Sequence, residues 1–410
     1  MAGSTNRPHQ TSRKTREQAA LRPTSQGYLA FEVIDNLDRF AELKSDWDRL
    51  LDADGEPHHV FQQHSWLSYW CSHFLSSERQ SLSVIVGWRK GRLKFAWPLV
   101  RETRLGCTLT SFMGAPVSQY CDVLIAKDED ILKLLPQALD ILTADLGCHL
   151  LMAPLVRGDA NILPAFVENG SQPCGEVEAP AIELEGLAGT EALADRLSSA
   201  SRKSRKRRLK RLGSKGSVSF RVADPGRDAI ALVENALAFK EAWFSKHSVV
   251  SKAFTDPRFK PFWVDVASGR LGSCGLHASA LEIDGRPAAI ELGLRFKGVH
   301  FAHIGAYDVE LEDCSPGQAQ LDYIVSDCIK TGLKCYDLLP PNSPFKDRFA
   351  TRSVPVGDFV VPLSRLGSAL DGARITRAPQ LAKAMISRLP PSARSVVSTS
   401  VKKLRGYFSS

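Results

Sequence analysis

A chain of 410 residues with 43% hydrophobic and 24% charged residues is long enough for two cores and has ordinary globular composition, which excludes disordered and fibrous classes. No window holds the ~18 consecutive apolar residues that cross a bilayer, the first residues lack a secretory apolar stretch, and nine Cys without a C-x-x-C spacing fit neither a disulfide framework nor a zinc site; the expectation is a soluble, cytoplasmic protein with reduced thiols and no metal. The formal net charge of +8 is concentrated: residues 1–27 carry +4, 202–215 carry +9 and 374–410 carry +8, leaving −13 for the rest, an acidic body that suits nucleic acid poorly but bears basic segments suited to phosphate or anionic lipid.

Residues 1–27 are polar and basic without apolar period and are expected to be a disordered leader. From Tyr28 the pattern turns globular: LAFEVID predicts a strand, and Phe40, Leu43, Trp47 and Leu51 fall at helical spacing. A second aromatic helix follows at 61–74. The runs LSVIVGW (82–88), RLKFAWPLV (92–100) and CTLTSF (107–112), separated by Lys90-Gly91 and Gly106, predict an antiparallel meander. YCDVLI (120–125), a helix over 131–146 and the apolar strand 149–155 complete a first lobe over residues 28–168. Residues 169–195, rich in Gly, Pro, Ala and acids, are expected to connect it to a second lobe.

The second lobe, 196–365, repeats that order. After a basic helix come the strand VSFRV (218–222), helices over Ala229–Lys246 and Arg258–Gly269, and three strands within 276–308 joined at Asp284-Gly285 and Lys297-Gly298. Ser315-Pro316-Gly317 then opens a helix over Gln318–Thr331, and CYDLL (335–339) is a short buried strand. Strand, two helices, three-strand meander, helix, strand thus occurs twice, which predicts an α/β (α+β) protein of two tandem lobes, each a mixed, mostly antiparallel sheet flanked by helices. Residues 366–410 read as a basic, largely disordered tail able to rest on an anionic membrane surface.

The stretch from 298 to 350 carries the chemistry. Ser315 is placed to cap a helix and Pro316 to occupy its first position, so free N–H groups and the helix dipole there suit a phosphate; Gly317 removes a Cβ from its path. Glu291 in AAIELGL and His303 in FAHIGAY are candidate bases on partly desolvated strands, with pairing to Arg295 and a core role as their respective alternatives. Asp337 ends a strand and Lys346 could orient an anionic group; alternatively the two form a structural ion pair. Tyr307 and Tyr323 are further candidate proton donors. The basic run 198–212 lacks interleaved aromatics for base stacking, and its leucines suggest a helix lying on the second lobe. His58, His59 and His64 lack a carboxylate at ligand spacing, and His300 and His303 project to opposite faces of a strand.

Several of these features together resemble one family: the W-x-x-x-W of Trp66 and Trp70, Tyr120-Cys121-Asp122, the R-K-S-R-K-R-R-L helix, S-P-G, Gly332, Asp337 and the F-K-x-x-F of Phe345, Lys346 and Phe349. Over roughly residues 30–365 the chain resembles the GNAT-type acetyltransferases called BioF2-like or CelD-like, of bacterial polysaccharide and cellulose biosynthesis loci. The resemblance implies two GNAT-like lobes and transfer of an acyl group from acetyl-CoA or another acyl-CoA, without a covalent nucleophile, to nitrogen or oxygen of a sugar or glycan precursor. It places the pantetheine along Gly305 and Ala306 and the pyrophosphate at Ser315, Pro316, Gly317 and Gln318. The usual pyrophosphate signature is only partly present: Gly317 and Ala319 fill its small positions, but Asp313 and Cys314 stand where a basic or amide residue and its neighbour are usual. Two other readings keep the fold. Fem-type transferases also duplicate the lobe and use aminoacyl-tRNA, which the basic helix would suit; the other is a non-catalytic accessory protein of a polysaccharide synthesis complex.

Overall fold

The computed structural model describes residues 29–76, 78–104, 106–187, 189 and 199–372; the expected leader and the tail beyond residue 372 lie outside them. The first half runs β1 (Ala30–Ile34), α1 (Leu37–Glu42), α2 (Lys44–Asp54), α3 (His64–Phe74), β2 (Gln80–Leu82), β3 (Val84–Arg89), β4 (Arg92–Trp97), β5 (Leu99–Arg104), β6 (Cys107–Phe112) and β7 (Leu124–Ile125). It continues through α4 (Ile131–Asp140), β8 (Leu150–Arg157), α5 (Leu163–Glu168) and β9 (Pro173–Glu183). The second half comprises α6 (Ser199–Gly213), β10 (Val218–Val222), α7 (Arg227–Lys246), α8 (Phe259–Ser268), β11 (Leu276–Ile283), β12 (Arg286–Phe296) and β13 (Val299–Tyr307). A 3-10 turn over Val309–Cys314 leads to α9 (Pro316–Lys330), β14 (Cys335–Asp337), α10 (Pro344–Asp347), β15 (Arg352–Pro362) and α11 (Arg365–Gly372).

Turn chemistry sets the meanders. Lys90-Gly91, Asp284-Gly285 and Lys297-Gly298 hold both residues at positive φ, the requirement of a type I′ turn. They pin Arg89 opposite Arg92, Ile283 opposite Arg286 and Phe296 opposite Val299. The run 92–100, expected as one strand, is two: Pro98 has no N–H to offer a ladder, and β4 enters a four-stranded sheet (β1-β3-β4-β7) while β5 enters the other sheet.

That other sheet has eleven strands in the order β10-β11-β12-β13-β14-β9-β15-β8-β6-β5-β2. The tandem element order is therefore present, but the two halves hydrogen-bond into one sheet. In each half the third meander strand runs parallel to the strand after the crossover helix, β6 with β8 and β13 with β14. Two expectations change. The stretch 169–195 contributes β9, whose acidic first part is exposed while Ala179, Ala181 and Ile182 are buried; the Pro, Gly and Glu of the exposed part hid the strand. Residues 366–372, expected within the tail, form α11 together with Arg365, and its Gly367 lies where a Cβ would fall 1.9 Å from the His149 carbonyl oxygen.

The largest core cluster joins the halves. Trp66 lies edge-on to Phe262 and Trp263, with ring centroids 5.1 and 5.8 Å away, and its indole N–H donates to Ser118 Oγ at 3.0 Å. The Trp70 N–H donates to the Ala115 carbonyl at 2.8 Å. Truncating such a ring to Ala costs about 3–5 kcal/mol, so the W-x-x-x-W pair serves the seam between halves. Among the described residues no helix is long and apolar enough to cross a membrane.

Candidate active-site groove

The groove arises where two strands part. β13 pairs with β14 only from Val299 to Phe301, and a bulge at His303, with Leu292 opposite Ile304 and Gly293 opposite Ala302, bends β13 beyond that point. After Asp337 the chain turns off through the Pro340-Pro341 pair, so among the described residues no strand covers the free edge of β13 from Ala302 to Tyr307. A cleft of about 600 Å³ follows that edge to the start of α9, walled by α7 and α10. At the matching place in the first half, Cys121 N donates to the Leu155 carbonyl at 3.1 Å, and Met113, Val117, Tyr120 and Val123 are buried in the gap.

Gly305, Ala306, Ser315, Pro316, Gly317 and Gln318 all line this cleft. Gly305 is exposed, and a Cβ placed on it meets nothing within 4 Å; a Cβ on Gly317 would meet the Tyr307 ring at an ordinary 3.5 Å. The fold itself demands glycine at neither position. The mouth of α9 differs from the expected cap. Ser315 is left-handed (φ 53°) with no side-chain cap, because its N–H closes the preceding 3-10 turn on Glu312 at 3.0 Å. Its carbonyl accepts from the Gln318 and Ala319 amides at 3.2 and 3.3 Å, and Pro316 has no N–H. The amide left without an acceptor among the described residues is that of Gly317.

Of the four candidate catalytic residues, Glu291 is the one set into the cleft with its carboxylate fixed. The Tyr336 hydroxyl donates to Oε2 at 2.5 Å, and His300 Nε2 meets Oε1 at 2.8 Å. Because Arg295 Nε donates to His300 Nδ1 at 3.2 Å, the His300 proton sits on Nε2 and points at Glu291. Arg295 itself pairs with Asp327, not with Glu291. Each Glu291 oxygen keeps a further lone pair for a ligand proton.

His303 borders the cleft but is spent on packing. Its Nε2 donates to the Val117 carbonyl at 2.6 Å, its ring lies 4.8 Å from that of Trp263, and burial holds it down at about 4. The imidazole is neutral and a poor base near pH 7. Lys346 lines the cleft from α10, with Nζ donating to the Leu339 and Pro341 carbonyls at 2.6 and 2.8 Å. Burial, partly countered by Asp337 and reinforced by Lys240, pulls it down to about 8.

Asp337 lies outside the cleft, a correction to its expected place. It accepts from the Tyr120 hydroxyl at 2.9 Å, Arg157 Nη1 at 3.1 Å and the Leu339 amide at 2.8 Å. Alternation along β14 sends Asp337 to one face and Tyr336 to the other, so Tyr336 is the residue that meets Glu291. The expected Asp337–Lys346 ion pair is replaced by Asp337–Arg157. Tyr307 donates to Glu312 at 2.9 Å and accepts from Trp243 at 2.9 Å, while Tyr323 stacks on Phe220 away from the cleft. Lys240 of α7 was missed because a single Lys in an amphipathic helix carries no motif.

The basic α6 lies on α9, as its leucines suggested: Leu212 is buried, Arg205 pairs with Asp322 at 3.0 Å, and Arg211 donates to the Asp313 carbonyl at 3.0 Å. Lys203, Lys206, Arg207 and Lys210 face solvent. In the first half, His58 and His59 do meet a carboxylate, which is distant in sequence: both Nε2 atoms lie on Asp122 Oδ2, at 3.0 and 2.9 Å. His59 Nδ1 accepts from the Glu56 amide, so its Nε2 carries the proton toward Asp122. Asp122 also accepts from the Asn161 and Ile162 amides. Although these three side chains are spaced as metal ligands could be, each is engaged in hydrogen bonds that a cation would have to displace.

Comparison with known proteins bears on the second half most directly. The family model described as acetyltransferase (GNAT) domain matches residues 199–347, which contain all residues lining the cleft. Among solved structures, the crystal structure of FemX is similar over 81% of this chain and 97% of its own, at 11% identity and a TM-score of 0.55. A conserved protein of unknown function from Bacteroides thetaiotaomicron matches over 81% of this chain and 100% of its own, at 9% identity and a TM-score of 0.50. The C-terminal domain of an Agrobacterium fabrum protein named as a lysylphosphatidylglycerol synthetase matches over 81% and 96%, at 12% identity and a TM-score of 0.50. No curated protein matches the chain. At such identities these structures speak for the fold alone, and the family match makes residues 199–347 similar to a GNAT acetyltransferase domain.

Proposed function

We propose that the cleft along β13 transfers an acyl group from an acyl-CoA to an amine or hydroxyl, with a sugar or glycan precursor as the acceptor class. The observation that carries this reading is the unpaired edge of β13 running past Glu291 to the mouth of α9. A pantetheine arm is extended and bears amides, so it pairs with such an edge as an added strand does. The Gly317 amide at the positive end of α9 suits one phosphate oxygen. The acceptor atom attacks the thioester carbonyl and gives its proton to a Glu291 oxygen. A C–N or C–O bond forms, the C–S bond breaks, and CoA leaves as a thiolate that takes the proton from Glu291 and restores its carboxylate; edge amides of β13 stabilise the oxyanion between these events. Isothermal titration with CoA and acetyl-CoA tests the reading: folded, monodisperse protein that binds neither refutes it.

A second reading keeps Glu291 and changes the carrier to aminoacyl-tRNA. It is favoured by α6, which carries exposed Lys203, Lys206, Arg207 and Lys210 and packs against α9, the helix that forms the cleft mouth. Filter binding of tRNA at rising salt discriminates, since affinity falls steeply when several phosphates are neutralised by lysine and arginine. Weak binding without salt dependence rules this carrier out.

A further inference from the structure

The charged side chains lining the cleft are Lys240, Glu291, Glu312 and Lys346. Both acids are committed within the protein. Glu291 is held by Tyr336 and His300, and Glu312 takes Lys246 at 2.7 Å and the Tyr307 hydroxyl at 2.9 Å. Among the described residues the lysines have no such partner. Lys346 is held by two carbonyls, which orient the ammonium but do not neutralise it. Lys240 reaches no carboxylate among the described residues; its ammonium lies over the Trp243 ring, 5.7 Å from the centroid. Burial lowers the Lys240 ammonium, and Lys240 in turn helps to depress Lys346. Two like charges kept half-dry and unpaired are unfavourable in the empty fold, which is the condition of a site whose counter-charge arrives with its ligand.

We propose that a molecule filling this cleft carries an acidic group, a carboxylate or a phosphate, that seats between Lys240 and Lys346, and that Lys240 sets the preference for it. The inference rests on the cleft being the ligand site of the proposed transfer. The acidic group belongs either to the carrier or to the acceptor, and both present the same chemistry to the two ammonium groups.

The test uses matched probe pairs differing by one acidic group, a CoA pair of 4′-phosphopantetheine against pantetheine and a glucosamine pair of glucosamine 6-phosphate against glucosamine, titrated into the wild-type chain and the K240M, K240R and K346M variants. The wild type should favour the acidic member of at least one pair by about tenfold, the effect of one charge-assisted contact. K240M and K346M should erase that preference and K240R should retain it. K240M should melt at or above the wild-type temperature, because it removes an unpaired, half-buried charge. A response in the CoA pair assigns the group to the carrier, and one in the glucosamine pair assigns it to the acceptor. Equal or absent binding of both members in both pairs overturns the proposal, as does a preference that survives in K240M or a K240M protein that unfolds. If acetyl-CoA supports no transfer while K240M still erases the preference, the acyl-transfer reading alone falls; if transfer proceeds and K240M keeps the preference, this proposal alone falls.

Discussion

Replacing Asp337 with Ala removes a buried carboxylate that gathers donors from three places: Tyr120 in the segment filling the first-half gap, Arg157 on β8, and the Leu339 amide after β14. Burial pushes this carboxyl up even though Arg157, the Leu339 amide and Tyr120 oppose the shift, so it is costly to bury and costly to strand its partners. Deleting one member of a buried charged pair costs about 3–5 kcal/mol. Arg157 retains Asp159 at 2.7 and 2.9 Å, which places the expected loss at the lower end, about 3 kcal/mol. At ~2–4 °C per kcal/mol for a large domain, the melting temperature should fall by roughly 6–12 °C. Thermal unfolding followed by circular dichroism gives the shift, and titration of CoA well below the melting temperature gives the site. Asp337→Ala should lose stability and keep CoA affinity. A variant that melts with the wild type yet no longer binds CoA would put Asp337 in the cleft and refute its assignment to the seam.

Gly305→Val should leave the melting temperature unchanged, because a Cβ there meets open space, yet weaken CoA binding by about tenfold through lost edge hydrogen bonds of ~0.5–1.5 kcal/mol each; titration and melting on the same sample check both halves. Tyr336→Phe removes one of the two donors that fix Glu291, so kcat should fall by about tenfold against a loss of ~10²–10⁴ for Glu291→Gln, read as thiol release from acyl-CoA. Acid should destabilise the fold. Burial, the largest influence on each, holds His59, His64, His300 and His303 below their ordinary value of 6.5. The unfolded chain therefore takes up more protons below pH 6.5, so stability rises with pH there and is lost as pH falls, by up to about 1.4 kcal/mol per pH unit for each ring. Denaturant midpoints at pH 7, 6 and 5 measure this, and a flat profile contradicts the burial of these rings.

The sequence was most legible where a residue type leaves little choice. Lys-Gly and Asp-Gly pairs between alternating runs can hardly do anything but turn, and they fixed the three hairpins. The bulge at His303 and the point where β13 leaves β14 were not legible in the residues, since nothing local announces a strand that loses one neighbour halfway along. Asp337 was misplaced for a simple reason: without the register of β14, its acid drew attention while Tyr336, one position earlier, faces the cleft. Asp122 meets His58 and His59 across more than sixty residues of chain, a distance no spacing rule spans. β9 was obscured by the polar composition of its exposed half.

The return of β15 has a consequence for biosynthesis. β8 and β9 end at Arg157 and Glu183, but the strand that fits between them starts at Arg352. While a ribosome is still translating the intervening residues, both strands present bare edges of the kind that recruit other chains. The first half can acquire its helices early, yet its sheet is closed only by β15, which emerges after all its other strands. A nascent chain aborted before Arg352 is thus left open at its centre and not merely shortened at its end.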